Sequence, residues 1–288
     1  MTDLAPPAIG ELIAERYLVE EQVHAGGMSR VYRAHDRETA QTVALKRPAR
    51  DDPGTLTRFL EEAKILSELR HPAIVRRLAH GGTSFADAHI VMEWLTGDTL
   101  EQRLAAGPLS LQGALNVTRR AAEGLSAAHR ANIVHRDIKP GNLILDDGFE
   151  TRTKVIDFGI ARREAARGLS VHASFAGGTW AYMSPEQAMG SAELGARADV
   201  YSLGCVLFEA ITGKPAFSSD RAQAVVAKVW QPPPDLADFC LGLPRPLLVL
   251  VSKMLATDPM QRQKDAGALV TELLALGKLP DLPATLKT

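Results

Sequence analysis

The feature that most limits the fold of this chain is a change of hydrophobic periodicity partway along it. Residues 16–47 consist of short β-type runs separated by turns, which is typical of an antiparallel meander. Residues 55–69 change to helical spacing, and a further β-type run lies at residues 89–92. Beyond residue 97 helical spacing dominates. The pattern predicts an α+β fold with a small antiparallel-sheet N-lobe that includes one helix, and a larger helical C-lobe.

Length and composition agree with two lobes. The chain has 288 residues, which is long for one compact core and short for three. Hydrophobic residues make up 45% of it and charged residues 23%, so a disordered or fibrous protein is excluded. We place the N-lobe at residues 1–95 and the C-lobe at residues 96–288.

Charge and cysteine content limit the partners and the compartment. The chain has 33 basic and 34 acidic side chains, and this balance provides no global field for nucleic acid or an anionic membrane. Cys205 and Cys240 are too few for a disulfide scaffold. No segment has the pattern of a signal peptide or a membrane span. We therefore expect a cytoplasmic protein with no membrane segment and no nucleic-acid partner.

The C-lobe sequence contains a buried helix and a polar loop region. Residues 200–208 are apolar on nearly all sides, and Gly213 follows where such a helix would end. Residues 133–185 are rich in loops and carry most of the polar motifs. Binding and catalytic residues concentrate in such loops, so we expect the functional site there.

A lysine and a glutamate of the N-lobe predict a buried ion pair. Lys46 ends the otherwise apolar run of residues 43–46, where its charge requires an anionic partner. Glu62 lies on the apolar face of the predicted helix, whereas Glu61 does not. The alternative is that Lys46 and Glu62 are both ordinary surface residues.

The strongest chemical signal is the segment 135–142, His-Arg-Asp-Ile-Lys-Pro-Gly-Asn, followed by Asp157-Phe158-Gly159. Phosphoryl transfer requires metal ions that neutralise phosphate charge, and the hard oxygen ligands of Asn142 and Asp157 suit magnesium. A hydroxyl nucleophile also requires an acceptor for its proton. Asp137 is five residues from the metal ligand Asn142, so it can lie close to the metal site without being one of its ligands. Lys139 is placed to meet the charge of the transferring phosphoryl group.

These motifs resemble the eukaryotic-type protein kinase family, and most closely its bacterial Ser/Thr branch, over residues 17–262. The resemblance implies a bilobal kinase domain that uses ATP with Mg²⁺, or Mn²⁺ as an alternative. It implies transfer of the γ-phosphate to Ser/Thr hydroxyls of proteins, including the kinase itself. It also implies a homodimer for trans-autophosphorylation. The catalytic-loop residues that match the family are His135, Arg136, Asp137, Lys139 and Asn142.

The resemblance also implies roles in nucleotide binding. Lys46 holds the α and β phosphates and pairs with Glu62, while Asp157 and Asn142 hold the metal. Met92 gates the adenine pocket, and the backbone of Glu93 and Leu95 meets the adenine edge. The full set implied for the nucleotide is Val23, Gly26, Gly27, Ser29, Val31, Ala44, Lys46, Met92, Glu93, Leu95, Asn142 and Asp157.

The glycine-rich loop departs from the family pattern. His24 and Ser29 stand where the family has glycine, and Gly26 is the one match among the three. A side chain at either position limits backbone torsions and close approach of the backbone to phosphate. The departure is expected to change nucleotide affinity without affecting the chemistry, and Ser29 adds a hydroxyl donor.

Residues 178–186 resemble the end of the family's activation segment, with Ser184 where alanine is commoner. By the resemblance, Thr179 helps to align a short hydroxyl side chain at Asp137 and Lys139. Three structural roles are also implied: Glu186 pairs with Arg262, Asp199 braces the catalytic-loop backbone, and Arg136 receives a phosphate from the activation segment.

Two serines are candidates for that phosphate. Ser174 is the expected main site and Ser170 the second, because Arg162, Arg163 and Arg167 lie nearby in sequence. The alternative is that these arginines form a solvated charge run and the serines are not modified.

Two other classes of protein remain open at this point. A pseudokinase scaffold with weak nucleotide binding would account for the altered glycine loop, but the match of Lys46, Glu62, Asp137, Asn142 and Asp157 argues against it. A small-molecule phosphotransferase of kinase-like fold shares the Asp and Asn spacing but does not need residues 178–186. The remaining histidines, such as those at positions 71 and 129, have ordinary structural explanations, and we expect no metal site from them.

Overall fold

The computed structural model describes residues 2–3, 6–26, 29–51, 53–158, 179–191, 194–277 and 285–286. The chain divides into two compact units, Met1–Leu95 and Thr96–Thr288. The first unit is built on an antiparallel sheet with one long helix, and the second is mainly helical. The α+β fold class expected from the hydrophobic periodicity is confirmed.

The first unit contains a six-stranded antiparallel sheet. Its strands are β2 (Leu12–Ile13), β3 (Tyr17–Ala25), β4 (Ser29–Asp36), β5 (Gln41–Pro48), β7 (Arg77–Gly81) and β8 (His89–Glu93), in the order β2-β3-β4-β5-β8-β7. A separate pair joins β1 (Thr2–Asp3) to β6 (Arg50–Asp51). The edge strand β7 was not predicted, because Arg77-Leu-Ala-His-Gly lacks the run of β-branched residues that marks a strand.

One face of this sheet is a hydrophobic core. The buried side chains that form it are Ile13, Tyr17, Val19, Tyr32, Ala34, Val43, Leu45 and Val91. Because side chains alternate along a strand, Ala44 and Lys46 belong to the opposite face of β5. Cross-strand neighbours share a face, so Val31, paired with Lys46, and Met92, paired with Ala44, lie on that opposite face as well.

The helix of the first unit is α1 (Pro53–Glu68). Its buried residues Phe59, Ala63 and Leu66 recur at helical spacing, and Glu61 on another face is exposed. The same spacing turns Glu62 inward with the apolar residues. The helix thereby brings a carboxylate from its buried face toward the sheet.

The second unit consists of helices and two small antiparallel strand pairs. The helices are α2 (Leu100–Leu104), α3 (Leu111–Arg130), α4 (Pro185–Ala188), α5 (Ala196–Thr212), α6 (Arg221–Trp230), α7 (Arg245–Met254) and α8 (Ala266–Ala275). The strand pairs join β9 (Leu143–Leu145) to β10 (Thr153–Val155), and β11 (Cys240–Leu241) to β12 (Thr285–Leu286). Of the helices that the structure describes, none is both long and apolar enough to cross a bilayer.

Helix α5 is the buried helix predicted from residues 200–208. Every residue from Ala198 to Phe208 is buried. Gly204 permits close packing, since a Cβ added there would lie 2.9 Å from the Cβ of Met254 on α7. Gly213 ends the helix in the left-handed region, with φ of 69°, which a glycine adopts without strain.

Candidate active site

Lys46 and Glu62 form an ion pair in the first unit. Lys46 Nζ donates to Glu62 Oε1 at 2.6 Å. The Lys46 side chain is 5% exposed and that of Glu62 is 12% exposed, so the pair lies between β5 and α1 with little access to water. A buried lysine without such a partner is costly. The surface alternative for these two residues therefore does not apply.

The two departures from the glycine pattern lie on the strands that flank the turn between β3 and β4, His24 on β3 and Ser29 on β4. Gly26 N–H donates to the carbonyl of Ser29 at 2.9 Å, and a Cβ on Gly26 would lie 3.3 Å from that oxygen. His24 is paired with Val31 across the two strands. Gly27 lies outside the described residues. Gly26 thus meets a local steric requirement, and His24 is accommodated as an exposed strand residue.

The remaining residues expected at the nucleotide are spread over four strands. Val23 on β3 is exposed, while Val31, Ala44 and Met92 share one sheet face with Lys46. Glu93 ends β8, and its carboxylate accepts from the backbone N–H of Arg76 at 2.8 Å. Leu95 is the last residue of the first unit.

Asp137, Lys139 and Asn142 come together in the second unit. Asn142 Nδ2 donates to the backbone carbonyl of Asp137 at 2.7 Å and to its Oδ2 at 3.2 Å. Lys139 Nζ lies 3.5 Å from the same Oδ2. The Asp137 side chain is 20% exposed, so its carboxylate is accessible to solvent. The arrangement holds a carboxylate acceptor and an ammonium group side by side.

His135 connects the catalytic loop to residues 156–158. Its Nε2–H donates to the carbonyl of Ile156 at 3.0 Å, and its Nδ1 accepts the backbone N–H of Asp137 at 3.2 Å. Its ring packs against Phe158 with centroids 4.7 Å apart. Burial lowers the pKa of His135. These contacts define a neutral Nε2–H imidazole that acts as a structural brace.

Asp199 shapes the backbone that precedes Asp137. Its Oδ2 accepts the N–H of His135 and its Oδ1 the N–H of Arg136, both at 2.8 Å. His129 Nε2–H donates to the same carboxylate at 2.8 Å, and His129 Nδ1 accepts the N–H of Ala266 at 3.2 Å. Burial alone would favour the protonated acid, but the hydrogen bonds from His129 and His135 outweigh it and lower the pKa of Asp199.

The contribution of His129 was not foreseen from the sequence. A histidine within a helical pattern is compatible with many roles, and Asp199 is far from it in the chain. Only the packing of α3 against α5 and α8 brings His129 to that carboxylate and to Ala266.

Arg262 and Glu186 form the buried ion pair expected for this chain. The guanidinium donates to both Glu186 oxygens, at 2.9 and 3.0 Å. It also donates to the carbonyls of Ala256, Arg197 and Thr257, at 2.7, 3.1 and 3.0 Å. The side chain is 0% exposed. Such a bidentate and fully bonded arginine is a structural anchor.

Lys228 is a second buried cation of this unit, and sequence reasoning missed it. Its Nζ donates to the carbonyls of Ala181 and Met183, at 2.8 and 2.6 Å. It lies 4.4 Å from the centroid of the Phe217 ring. Burial lowers its pKa to about 8. The sequence did contain a signal for it: Lys228 lies four residues after Ala224 and therefore on the same buried face of α6. The same reasoning from helical spacing identified Glu62 on α1.

Some expected residues lie outside the described part of the chain. These are Gly27, Gly159, Arg162, Arg163, Arg167, Ser170, Ser174 and Gly178. Thr179 begins a 3-10 turn, Thr179–Ala181, but its side chain is also outside the described set. The activation-segment switch therefore stays a prediction.

The donor set of the second unit fits a divalent cation. Because Asn142 Nδ2 faces Asp137, its Oδ1 is the atom of that amide suited to a metal. Asp157 adopts φ of 52°, a left-handed conformation that is uncommon outside glycine and is found at functional sites. Among the described residues, no group of three His, Cys, Asp or Glu side chains has an arrangement that could hold a metal ion by itself. Two oxygen ligands suit Mg²⁺, which completes its shell with phosphate oxygens and water.

Comparison with known proteins agrees with this geometry. The protein kinase domain family matches residues 17–274, and the chain belongs to that family. Members of the family generally use ATP and a divalent metal ion. The resemblance to protein kinases expected from residues 135–159 is therefore confirmed.

Several relatives are bacterial kinases. Serine/threonine-protein kinase PknB of Mycobacterium tuberculosis is 37% identical over 285 residues, which are 95% of this chain and 45% of that protein. PknB of Mycolicibacterium smegmatis is 36% identical over the same shares. PknA of Mycobacterium tuberculosis is 33% identical over 289 residues, or 96% of this chain and 65% of PknA. The chain thus spans about half the length of PknB and about two thirds of PknA.

Proposed function

We propose that the chain is the catalytic domain of a serine/threonine protein kinase, which transfers the γ-phosphate of ATP to Ser/Thr hydroxyls of proteins and of its own copies. The observation that supports this most is the geometry around Asp137. A partly exposed carboxylate lies 3.5 Å from the ammonium of Lys139 and is held by the amide of Asn142. Relatives named as serine/threonine-protein kinases support the same acceptor class.

In the proposed reaction the acceptor hydroxyl attacks the γ-phosphorus, and the bond from that phosphorus to the bridging oxygen of ADP breaks. Asp137 receives the hydroxyl proton. Lys139 lies against negative charge on the transferring group. A bound Mg²⁺, or Mn²⁺ in its place, neutralises phosphate charge when held by Asn142 and Asp157. Lys46, oriented by Glu62, binds the α and β phosphates.

The test of this function is phosphoryl transfer by the purified protein with ATP, Mg²⁺ and a panel of candidate proteins, read by mass spectrometry of the acceptor residues. Asp137→Asn is expected to abolish transfer while ATP binding stays close to that of the parent, because Lys46, Asn142 and Asp157 are unchanged. Asp238→Asn alters an exposed aspartate of the same unit and serves as the matched control.

Three results would contradict the proposal. Turnover by Asp137→Asn equal to that of the parent would remove Asp137 from its role. Transfer to a small molecule but to no protein would favour a different phosphotransferase. Binding of ATP without any transfer would favour a scaffold. Replacing Mg²⁺ by Mn²⁺ or Ca²⁺ in the same assay identifies the metal that supports turnover.

Control by phosphorylation of Ser174, with Ser170 as the second site, is part of the proposal. A phosphoserine carries roughly -1.5 to -2 charges and pairs with arginines such as Arg136 beside the catalytic aspartate. We expect phosphate on these serines in the active protein, none in Asp137→Asn, and reduced activity in the double Ser→Ala variant. Ser219→Ala, at an exposed serine, is the control. Full activity in the double variant would exclude the switch.

Autophosphorylation between copies predicts a dependence on protein concentration. If two copies meet for the reaction, the initial rate per molecule rises with concentration. A rate per molecule that stays constant down to dilutions at which the protein is monomeric by gel filtration would indicate reaction within one chain and would contradict the proposed homodimer.

A further inference from the structure

The peptide group that joins Arg136 to Asp137 is held at both ends. Its N–H, contributed by Asp137, donates to His135 Nδ1 at 3.2 Å. Its carbonyl, contributed by Arg136, accepts a hydrogen bond from Gln187 Nε2 at 3.0 Å. Arg136 itself has φ of 67°, in the left-handed region that costs energy for a residue with a side chain. Asp137 follows directly from this peptide, so the orientation of the peptide helps to set the direction of the Asp137 carboxylate, together with the contacts of Asn142 and Lys139.

The amide of Gln187 has a defined orientation. Its Oε1 accepts the backbone N–H of Ser184 at 3.0 Å, and the backbone N–H of Gln187 donates to Ser184 Oγ at 3.4 Å. This is a capping box at the start of α4. A flipped amide would face the Ser184 N–H with another donor and the Arg136 carbonyl with another acceptor. Nε2 is therefore the atom directed at Arg136.

Helix α4 is itself anchored. Glu186, the residue before Gln187, is bonded by Arg262 on both oxygens. Lys228 holds the carbonyls of Ala181 and Met183, just before the helix. The donor that reaches Arg136 thus stands on backbone fixed from two directions. Ser184, noted in the sequence only as a substitution for alanine, is the other half of the capping box.

We propose that Gln187 is a positioning residue for phosphoryl transfer, which acts by holding the Arg136 carbonyl and thereby orienting Asp137. The inference rests on the proposed kinase function. It adds to the support that Asp199 provides, because Asp199 binds the N–H groups of His135 and Arg136, whereas Gln187 binds the carbonyl of the following peptide. The other reading is that Gln187 serves only to cap α4.

The substitution Gln187→Glu separates these two readings. Glutamate is a standard partner in a capping box, so it retains the acceptor for Ser184 N–H. It lacks the donor for Arg136 and places a carboxylate against a carbonyl. We expect kcat to fall about tenfold, the effect of one lost hydrogen bond at the reacting geometry. The KM for ATP and the affinity for ADP are expected to stay within about twofold.

A pH profile provides a readout that capping alone would not change. When the carboxyl introduced by Gln187→Glu is protonated, it regains a donor. The ratio of kcat for this variant to kcat for the parent is therefore expected to rise as the pH falls toward the pKa of that carboxyl. Taking the ratio cancels the effects of pH that the two proteins have in common. A flat ratio would overturn the proposal.

Two further variants test whether a fall in kcat could result from lower stability of the fold alone. Gln187→Met has a similar length but loses both side-chain hydrogen bonds, and it should show the same fall in kcat without an added charge. Ser110→Ala removes the N-cap of α3, where the serine accepts the N–H of Gly113 at 3.0 Å. It should lower Tm by a few degrees and leave kcat unchanged.

Each combination of results has one meaning. A fall in kcat for both Gln187 variants at unchanged ATP affinity supports the proposal. If Gln187→Glu does not fold, the proposal is supported when kcat falls in Gln187→Met but not in Ser184→Ala, which weakens the same cap and leaves the bond to Arg136 intact, and it is overturned when kcat falls equally in both. Parent-like kcat in the folded Gln187 variants overturns this inference alone, provided that the parent transfers phosphate and Asp137→Asn does not. Absence of transfer by the parent overturns the proposed function and this inference together.

Discussion

Buried cations have different kinds of partner in the two units. In the first unit Lys46 donates to a side-chain carboxylate, that of Glu62, at 2.6 Å. In the second unit Lys228 donates to the carbonyls of Ala181 and Met183, and Arg262 donates to three carbonyls as well as to Glu186. Asp199, a fully buried anion of the second unit, likewise binds backbone N–H groups.

The difference shows how one fold uses buried charge in two ways. A charge that binds peptide groups fixes the path of the main chain, and in the second unit this path carries Asp137 and the segment before α4. A charge that binds another side chain fixes the direction of a functional group. The main chain beside it is held by the hydrogen bonds of the sheet instead. Lys46 is therefore suited to bind an anion, whereas Arg262 and Lys228 are suited to maintain shape.

The largest expected effect is that of Arg262→Met. Removal of a fully buried guanidinium leaves Glu186 and three carbonyls without their donor, and we expect a loss of about 3 to 5 kcal/mol in the free energy of unfolding. Because most of the lost bonds go to the backbone, adding Glu186→Gln should recover only a minor part of that loss. Urea denaturation of the two variants measures it. Full recovery in the double variant would show that Arg262 acts as a simple ion-pair partner.

Lys228→Met is expected to change how stability depends on pH. The pKa of Lys228 is about 8 in the folded protein and 10.5 when unperturbed, so between these values the unfolded chain holds a proton that the folded chain has released. Rising pH in this window therefore favours folding, by on the order of 3 kcal/mol in total for this group. Cys205, Arg262 and Glu186 also act on this lysine.

The measurement for Lys228 is the free energy of unfolding of the parent minus that of Lys228→Met, followed from below the folded pKa of about 8 to the unperturbed value of 10.5. As the pH rises above about 8, the free energy of unfolding of the parent is expected to increase relative to that of Lys228→Met. A constant difference over the whole range would mean that the ammonium titrates normally and that its burial is not costly.

Lys46→Met is expected to have a smaller effect on stability and a large one on activity. Glu62 retains 12% exposure, so its carboxylate is partly hydrated when the ammonium is removed, and we expect a loss of about 1 to 2 kcal/mol. Lys46→Met/Glu62→Gln should recover a large part of it, in contrast to the pair at Arg262, while activity stays low. Retention of the parent rate by Lys46→Met would show that this lysine does not bind phosphate.

The smallest expected effect is that of His24→Gly on strand β3 of the first unit. The fold should be unchanged, with a loss of about 0.5 to 1 kcal/mol from the added backbone freedom of glycine in a strand. Affinity for ATP, measured by calorimetry beside Ser29→Gly, is expected to change, because the backbone at Gly26 gains freedom. Equal affinities in the parent and both variants would mean that these departures from the glycine pattern have no consequence.

Local sequence was sufficient where one element carries the whole signal. The helical spacing around Glu62 identified its inward face, the uninterrupted apolar run identified α5, and Gly213 identified the end of that helix. The segment containing Asp137 and Asn142 pointed to phosphoryl transfer because its residue types are those that the chemistry needs. Each of these features depends on neighbours within a few residues, so the chain itself contains the evidence.

Packing between elements that are distant in the chain selects which groups support the site. His129 meets Asp199 only because α3 packs against α5, and Lys228 reaches the carbonyls of Ala181 and Met183 only because α6 lies beside that segment. Gln187 meets the Arg136 carbonyl through the same kind of packing. Backbone carbonyls and N–H groups are present at every residue, so the order of amino acids cannot say which of them a buried side chain will bind. That order specifies the chemistry and the succession of helices and strands, whereas the positions of the reacting groups follow from how those helices and strands pack.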